Sequence, residues 1–119
     1  MKLSETEKKF MNYIWELEPV SSKQIVQICD EEFGWKKSTT YTFLKRLSDK
    51  GALINDDSMI RSLISKTEIQ KEESQAIIES TFDGSFLSFA TAFFSSKGIS
   101  EEEYVKLKEL IDSMKENDD

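Results

Sequence analysis

Apolar residues recur at three- and four-residue intervals along most of the chain, and four of these stretches open with a hydroxyl residue followed three positions later by Glu or Gln. Ser4 to Glu7, Ser21 to Gln24, Thr67 to Gln70 and Ser100 to Glu103 have the form in which two side chains reciprocally satisfy unpaired N–H groups of a first helical turn. After the first, Phe10, Met11, Ile14 and Trp15 predict one buried face, and Pro19 stops a helix over roughly residues 4–18. After the second, Ile25, Ile28 and Cys29 keep the period until Gly34, predicting a helix over roughly 22–32. Thr40, Phe43, Leu44 and Leu47 predict a third over roughly 38–50, with Gly51 suited to the left-handed position beyond its end. Ala52-Leu53-Ile54-Asn55 and Met59 to Ile64 flank Asp56-Asp57-Ser58 and read as a small hairpin.

Further on, Ile69, Ala76 and Ile77 mark one amphipathic helix, Phe82, Phe86, Phe89 and Phe93 a second, and Tyr104, Leu107, Ile111 and Met114 a third. The expected fold is mainly α. Residues 1–66 follow the order of a winged helix-turn-helix with a β-hairpin wing, and residues 67–119 form a C-terminal three-helix dimerisation region. Five phenylalanines, at 82, 86, 89, 93 and 94, exceed what three short helices bury alone, so the economical partner is the same tail of a second chain. Phe82, Phe86, Phe89, Phe93, Leu107, Ile111 and Met114 are the expected dimer residues. The closing run Lys115-Glu116-Asn117-Asp118-Asp119 is expected to fray.

Composition then removes whole classes of chemistry. With no histidine and one cysteine in 119 residues, one chain cannot assemble a His/Cys zinc site, a Ser-His or Cys-His triad, or a disulfide framework. No metal, cofactor or enzymatic activity is expected. Cys29 lies in an apolar stripe and reads as a small buried hydrophobe. No run approaches the roughly 18 apolar residues of a membrane span, and Met1-Lys2-Leu3-Ser4-Glu5 lacks the apolar core of a secretion signal. A cytoplasmic protein without membrane attachment is expected.

Charge is uneven. The net charge of −7 opposes nucleic acid when taken as one number. Residues 1–66, however, carry 11 Lys+Arg and 10 Asp+Glu, a net of +1, whereas residues 67–119 carry 5 and 13, a net of −8. Between Lys36 and Lys50 there are five basic residues and one acid, Asp49. With its apolar positions inward, the third helix turns Lys37, Ser38, Thr39, Tyr41, Thr42, Lys45 and Arg46 outward, and Lys36 stands at its entrance. Cations and hydroxyls of this kind meet phosphates and base edges in a major groove. Ser21, Ser22 and Lys23 offer further N–H groups and a cation to a phosphate. The hairpin turn is acidic, and Arg61 is the nearby cation able to reach a DNA backbone. The acidic tail is expected to stay clear of the duplex and so orient two basic heads toward one side. A winged helix that docks on another protein is the alternative, which a pI near 4.7 and the acidic turn suit.

Trp35-x-x-x-Thr39-x-x-Thr42-x-x-x-Arg46-Leu47-x-x-Lys50-Gly51, with the Leu3-Ser4 start and the Ile14-Trp15 pair, resembles the penicillinase repressor (BlaI/MecI/CopY) family of transcriptional regulators. Phe82-Asp83-Gly84-Ser85-Phe86 through Ile99-Ser100-x-Glu102-Glu103 fits the family's C-terminal part. The resemblance implies a homodimeric bacterial repressor of a palindromic double-stranded operator, read by Thr39, Tyr41, Thr42 and Arg46 on the third helix. Two departures narrow it. Family members that answer β-lactam sensors are cut at an Asn-Phe bond, which here is Ala92-Phe93, so that cleavage is not expected. The paired Cys-x-Cys motifs of copper-responsive members have no counterpart, so copper sensing is not expected either. No upstream sensor or protease is legible in the residues.

Overall fold

The computed structural model describes residues 1–115; Glu116 to Asp119, most of the run expected to fray, lie outside the described residues. Chain order is α1 (Glu5–Leu17), β1 (Val20–Ser21), α2 (Ser22–Phe33), α3 (Lys37–Asp49), β2 (Leu53–Asp56), β3 (Met59–Ser62), α4 (Lys66–Phe82), α5 (Phe86–Ser96) and α6 (Glu101–Met114). It is a mainly α protein, a winged helix followed by C-terminal helices.

Local sequence explains where the helices begin and end. At Ser4 both arms of the box form: the Ser4 hydroxyl accepts from the Glu7 N–H at 3.1 Å, and Glu7 Oε1 accepts from the Ser4 N–H at 2.8 Å. Ser21 and Ser100 cap α2 and α6 through the hydroxyl arm, accepting from the N–H groups of Gln24 and Glu103. The box expected at Thr67 is not where α4 starts. Ser65 caps that helix, its hydroxyl accepting from the Glu68 N–H at 3.1 Å, because the chain leaves the hairpin two residues earlier than the pattern suggested. Gly34 ends α2 at φ +68, a left-handed conformation that costs glycine nothing.

The hairpin turn is two residues, Asp57 and Ser58, both at positive φ, the backbone sign that matches the twist of paired strands. A third strand was not expected. β1 pairs antiparallel with β3, Val20 opposite Ile60, giving the sheet order β1-β3-β2. Pro19 had been read only as a helix stop; the two residues after it are extended and find a sheet edge.

The chain divides into two compact units, Met1–Ala76 and the part from Ile77 onward. In the first, Phe10, Met11, Ile14, Ile25, Leu47, Leu53 and Ile60 are almost completely buried. Cys29 is buried as expected, and desolvation pushes its thiol up. The beginning of α4 belongs to this unit: Ile69 joins the core, the Met1 amino group pairs with Glu72, and Lys8 meets Glu73 at 3.1 Å.

In the second unit, Phe82 closes α4 instead of opening the next helix. Asp83 and Gly84, both at positive φ, break the run, and Ser85 caps α5. The apolar period had bridged this break because Phe82 still meets Phe89 edge-on, with ring centroids 5.4 Å apart. Phe89 in turn approaches Phe86 and Phe93, at 6.1 and 6.4 Å. Among the described residues, α5 and α6 hold none that is buried.

Candidate nucleic-acid interface

The face of α3 follows from its 100° step. Thr40, Leu44 and Leu47 are buried against the core, leaving a broad outer arc. Ser38, Thr42 and Lys45 run along its middle, Lys37 and Tyr41 along one flank, and Arg46 along the other; all are exposed. Thr39, expected outward, is half-buried on the Arg46 flank. The helix begins at Lys36 with no side-chain cap, so N–H groups of its first turn lie free of side-chain acceptors next to two lysines. Arg61 stands apart from this helix, exposed on β3 opposite Ile54.

Several of these groups have partners. The Thr42 hydroxyl donates to the Ser38 carbonyl at 3.0 Å, leaving an oxygen lone pair and a methyl outward. Lys45 lies 3.5 Å from Asp49, an exposed pair one turn apart that salt and a competing phosphate readily displace. Lys37 lies 5.9 Å from the centre of the Tyr41 ring, and the Arg46 guanidinium lies 4.7 Å over the Phe43 ring.

Two sequence readings change. Lys50 had been counted with the basic cluster, but its ammonium is turned away to Glu7 Oε1 at 2.8 Å and the Lys2 carbonyl at 3.1 Å. Glu7 is 2% exposed. Burial alone raises its pKa, but hydrogen bonds from Lys50 and the Ser4 N–H outweigh this and hold the carboxyl below its usual range. Lys50 therefore stabilises the head instead of adding to the outer charge. The start of α2 also offers less than expected. The Ser22 N–H donates to the Ser58 carbonyl at 2.8 Å and the Gln24 N–H to Ser21, which leaves Lys23 as the group facing outward.

Sequence reasoning missed the aromatic support beneath α3. Phe43 packs on Trp35 with centroids 4.4 Å apart, and Trp35 packs on Phe33 at 4.7 Å and on the buried Phe10 at 6.2 Å. The i, i+3 spacing of Phe43 and Arg46 was the available signal. The hairpin is anchored from below: Glu18 accepts from the Ser62 N–H and hydroxyl at 3.0 and 2.9 Å, and the Trp15 indole donates to the Ile64 carbonyl at 2.9 Å. Its tip, Asp56 and Asp57, is exposed and acidic.

No helix among the described residues is long and apolar enough to cross a membrane. Comparison with known proteins adds the remaining finding. Residues 3–113 match the family model of the penicillinase repressor. Curated relatives include the methicillin resistance regulatory protein MecI of Staphylococcus aureus, 25% identical over 114 residues that span 92% of this chain and 93% of the relative. MecI proteins of Mammaliicoccus sciuri and Staphylococcus epidermidis are similar at the same identity and coverage.

Proposed function

This chain belongs to the penicillinase repressor family of transcriptional regulators, and we propose that it works as a homodimer on a palindromic operator, each winged helix placing α3 in the major groove of one half-site. The observation that carries the reading is the outer arc of α3, where Lys37, Tyr41, Thr42, Lys45 and Arg46 stand exposed on a rigidly packed helix in an otherwise acidic chain. Lys36, Lys37, Ser38 and the uncapped first turn of α3 take phosphate, since backbone N–H groups and cations both favour an anion there. Thr39, Tyr41, Thr42 and Arg46 face base edges, and Arg61 on β3 reaches the flanking backbone. In this reading residues 1–66 carry the DNA-binding part and 67–119 the dimerisation part, although the first turns of α4 pack into the unit Met1–Ala76. Phe82, Phe86, Phe89, Phe93, Leu107, Ile111 and Met114 serve the second chain.

Repression follows from occupancy of the promoter, and the spacing of the two tails sets the spacing of half-sites. An enzyme reading has no support in the family. The protein-docking alternative draws on the acidic hairpin tip, whose two carboxylates repel phosphate.

The test is selection of bound duplexes from a randomised pool at two salt concentrations. A palindrome whose affinity falls steeply with salt is the expected result. Arg46→Ala then relaxes specificity at one position of each half-site and costs roughly 1–3 kcal/mol per half-site, while Lys37→Ala lowers the salt slope by about one per head. Absence of enrichment at both salts refutes operator binding and favours the protein-docking alternative.

A further inference from the structure

Arg46 is not a free side chain. Its guanidinium lies 4.7 Å over Phe43, Phe43 lies on Trp35, and Trp35 lies on Phe33 and on Phe10 at the centre of the head. Phe10 is 1% exposed, Phe33, Trp35 and Phe43 are half-buried, and Arg46 is exposed, so one run of rings leads from core to surface and ends in a cation. These residues come from α1, the end of α2, the α2–α3 connection and α3 itself.

The arrangement has a chemical consequence. A guanidinium seated over a ring is restrained in where it can swing, and its planar fork of N–H groups stays open to whatever approaches from the solvent side. That planar fork is the group that makes two parallel bonds to a guanine edge or a phosphate. An arginine on a flexible stem must lose rotamer freedom to reach the same geometry. Packing against Phe43 removes part of that loss before any ligand arrives.

We propose that Phe43, backed by Trp35, is a positioning residue for Arg46: the ring presents the guanidinium edge to DNA and thereby sets how sharply Arg46 discriminates its base. The inference rests on the operator-binding reading above. It adds that specificity at the Arg46 position depends on a side chain that does not itself touch DNA.

Two measurements test it. In the free protein, the ring current of Phe43 shifts the NMR signals of the Arg46 side chain, and Phe43→Leu abolishes that shift while Phe43→Tyr preserves it. An Arg46 signal unmoved by Phe43→Leu overturns the inference without reference to DNA. With the selected operator, Phe43→Leu weakens specific binding about two- to fivefold, the size of an exposed cation–π contact. The salt slope stays unchanged, because the charge remains. Phe43→Tyr retains wild-type discrimination.

A double-mutant cycle with Arg46→Ala separates positioning from general packing, because Phe43→Leu has no further effect on discrimination once Arg46 is gone. Additive losses overturn the proposal. Should Phe43→Leu fail to fold, Phe43→Met keeps the bulk and removes the ring: lost discrimination at the Arg46 position supports the inference, and discrimination equal to wild type overturns it. A wild-type chain that enriches no duplex refutes the operator reading and this inference with it. Enrichment with an additive cycle refutes this inference alone.

Discussion

The two units are built from helices with the same apolar spacing, yet only one of them closes. In the unit Met1–Ala76, helices and a three-stranded sheet approach one another from several directions, and thirteen hydrophobic side chains fall below a tenth of their free exposure. In the unit that starts at Ile77, α5 and α6 leave Phe86 61%, Leu87 76% and Met114 71% exposed. A groove of about 510 Å³ lined by Phe86, Leu107, Leu110, Ile111 and Met114 lies along them. Periodicity reveals that a helix has an apolar face, not what covers that face. The head covers its own faces, and the tail has too few layers to do so.

The largest effect expected on this contrast comes from charging the open face. On the proposed dimer, Phe93→Asp with Leu107→Asp should leave the head's thermal transition in place, convert dimer to monomer in sedimentation, and weaken full-operator binding by about 10²–10⁴-fold as the second head ceases to be tethered. A dimer that survives both charges would remove this face from the interface. Next, Phe10→Ala opens a cavity where α1 meets the aromatic run and should cost about 3–5 kcal/mol in denaturant unfolding of the head.

Smaller again is Lys50→Met, which leaves the Glu7 carboxylate buried without its cation. A fully buried pair loses about 3–5 kcal/mol on such a change. Lys50 keeps 35% of its exposure, so about 2–3 kcal/mol is expected here. The pH dependence has a definite sign. Glu7 is held below its usual pKa in the folded chain, so its stabilising contribution is complete above the unfolded-state value and disappears as pH falls through the folded-state value. Unfolding measured from neutral to acidic pH should therefore show a smaller acid loss in Glu7→Gln than in the wild type. The smallest change is Asp57→Asn at the exposed hairpin tip. Asparagine tolerates the positive φ there, and on the proposed complex removing one charge from the tip should raise operator affinity by about 0.2–1 kcal/mol at low salt and by less at high salt.

Much of the head was legible because its signals are local. Ser4, Ser21, Gly34 and Gly51 mark helix ends through caps and left-handed turns that involve residues a few positions apart. The outer arc of α3 was legible for the same reason: burial of Thr40, Leu44 and Leu47 dictates which residues face away. Thr67 misled because Ser65 to Glu68 is an equally good cap two residues earlier, and only the path of the chain out of β3 selects between them. Phe82 misled because a helical period continues in phase across a three-residue break.

By itself, then, the sequence determined the number of the helices, the hairpin and the basic character of one helix face. Each depends on backbone periodicity and on hydrogen bonds closed within a turn. Tertiary structure alone decided that Val20 and Ser21 form a third strand with β3, that Lys50 turns from the basic cluster to a carboxylate 43 residues away, and that Arg46 rests on a run of rings reaching Phe10. Such pairings join distant segments whose approach is set by how the core closes. Side-chain type announces that a cation or a ring needs a partner, and only packing chooses which one it meets.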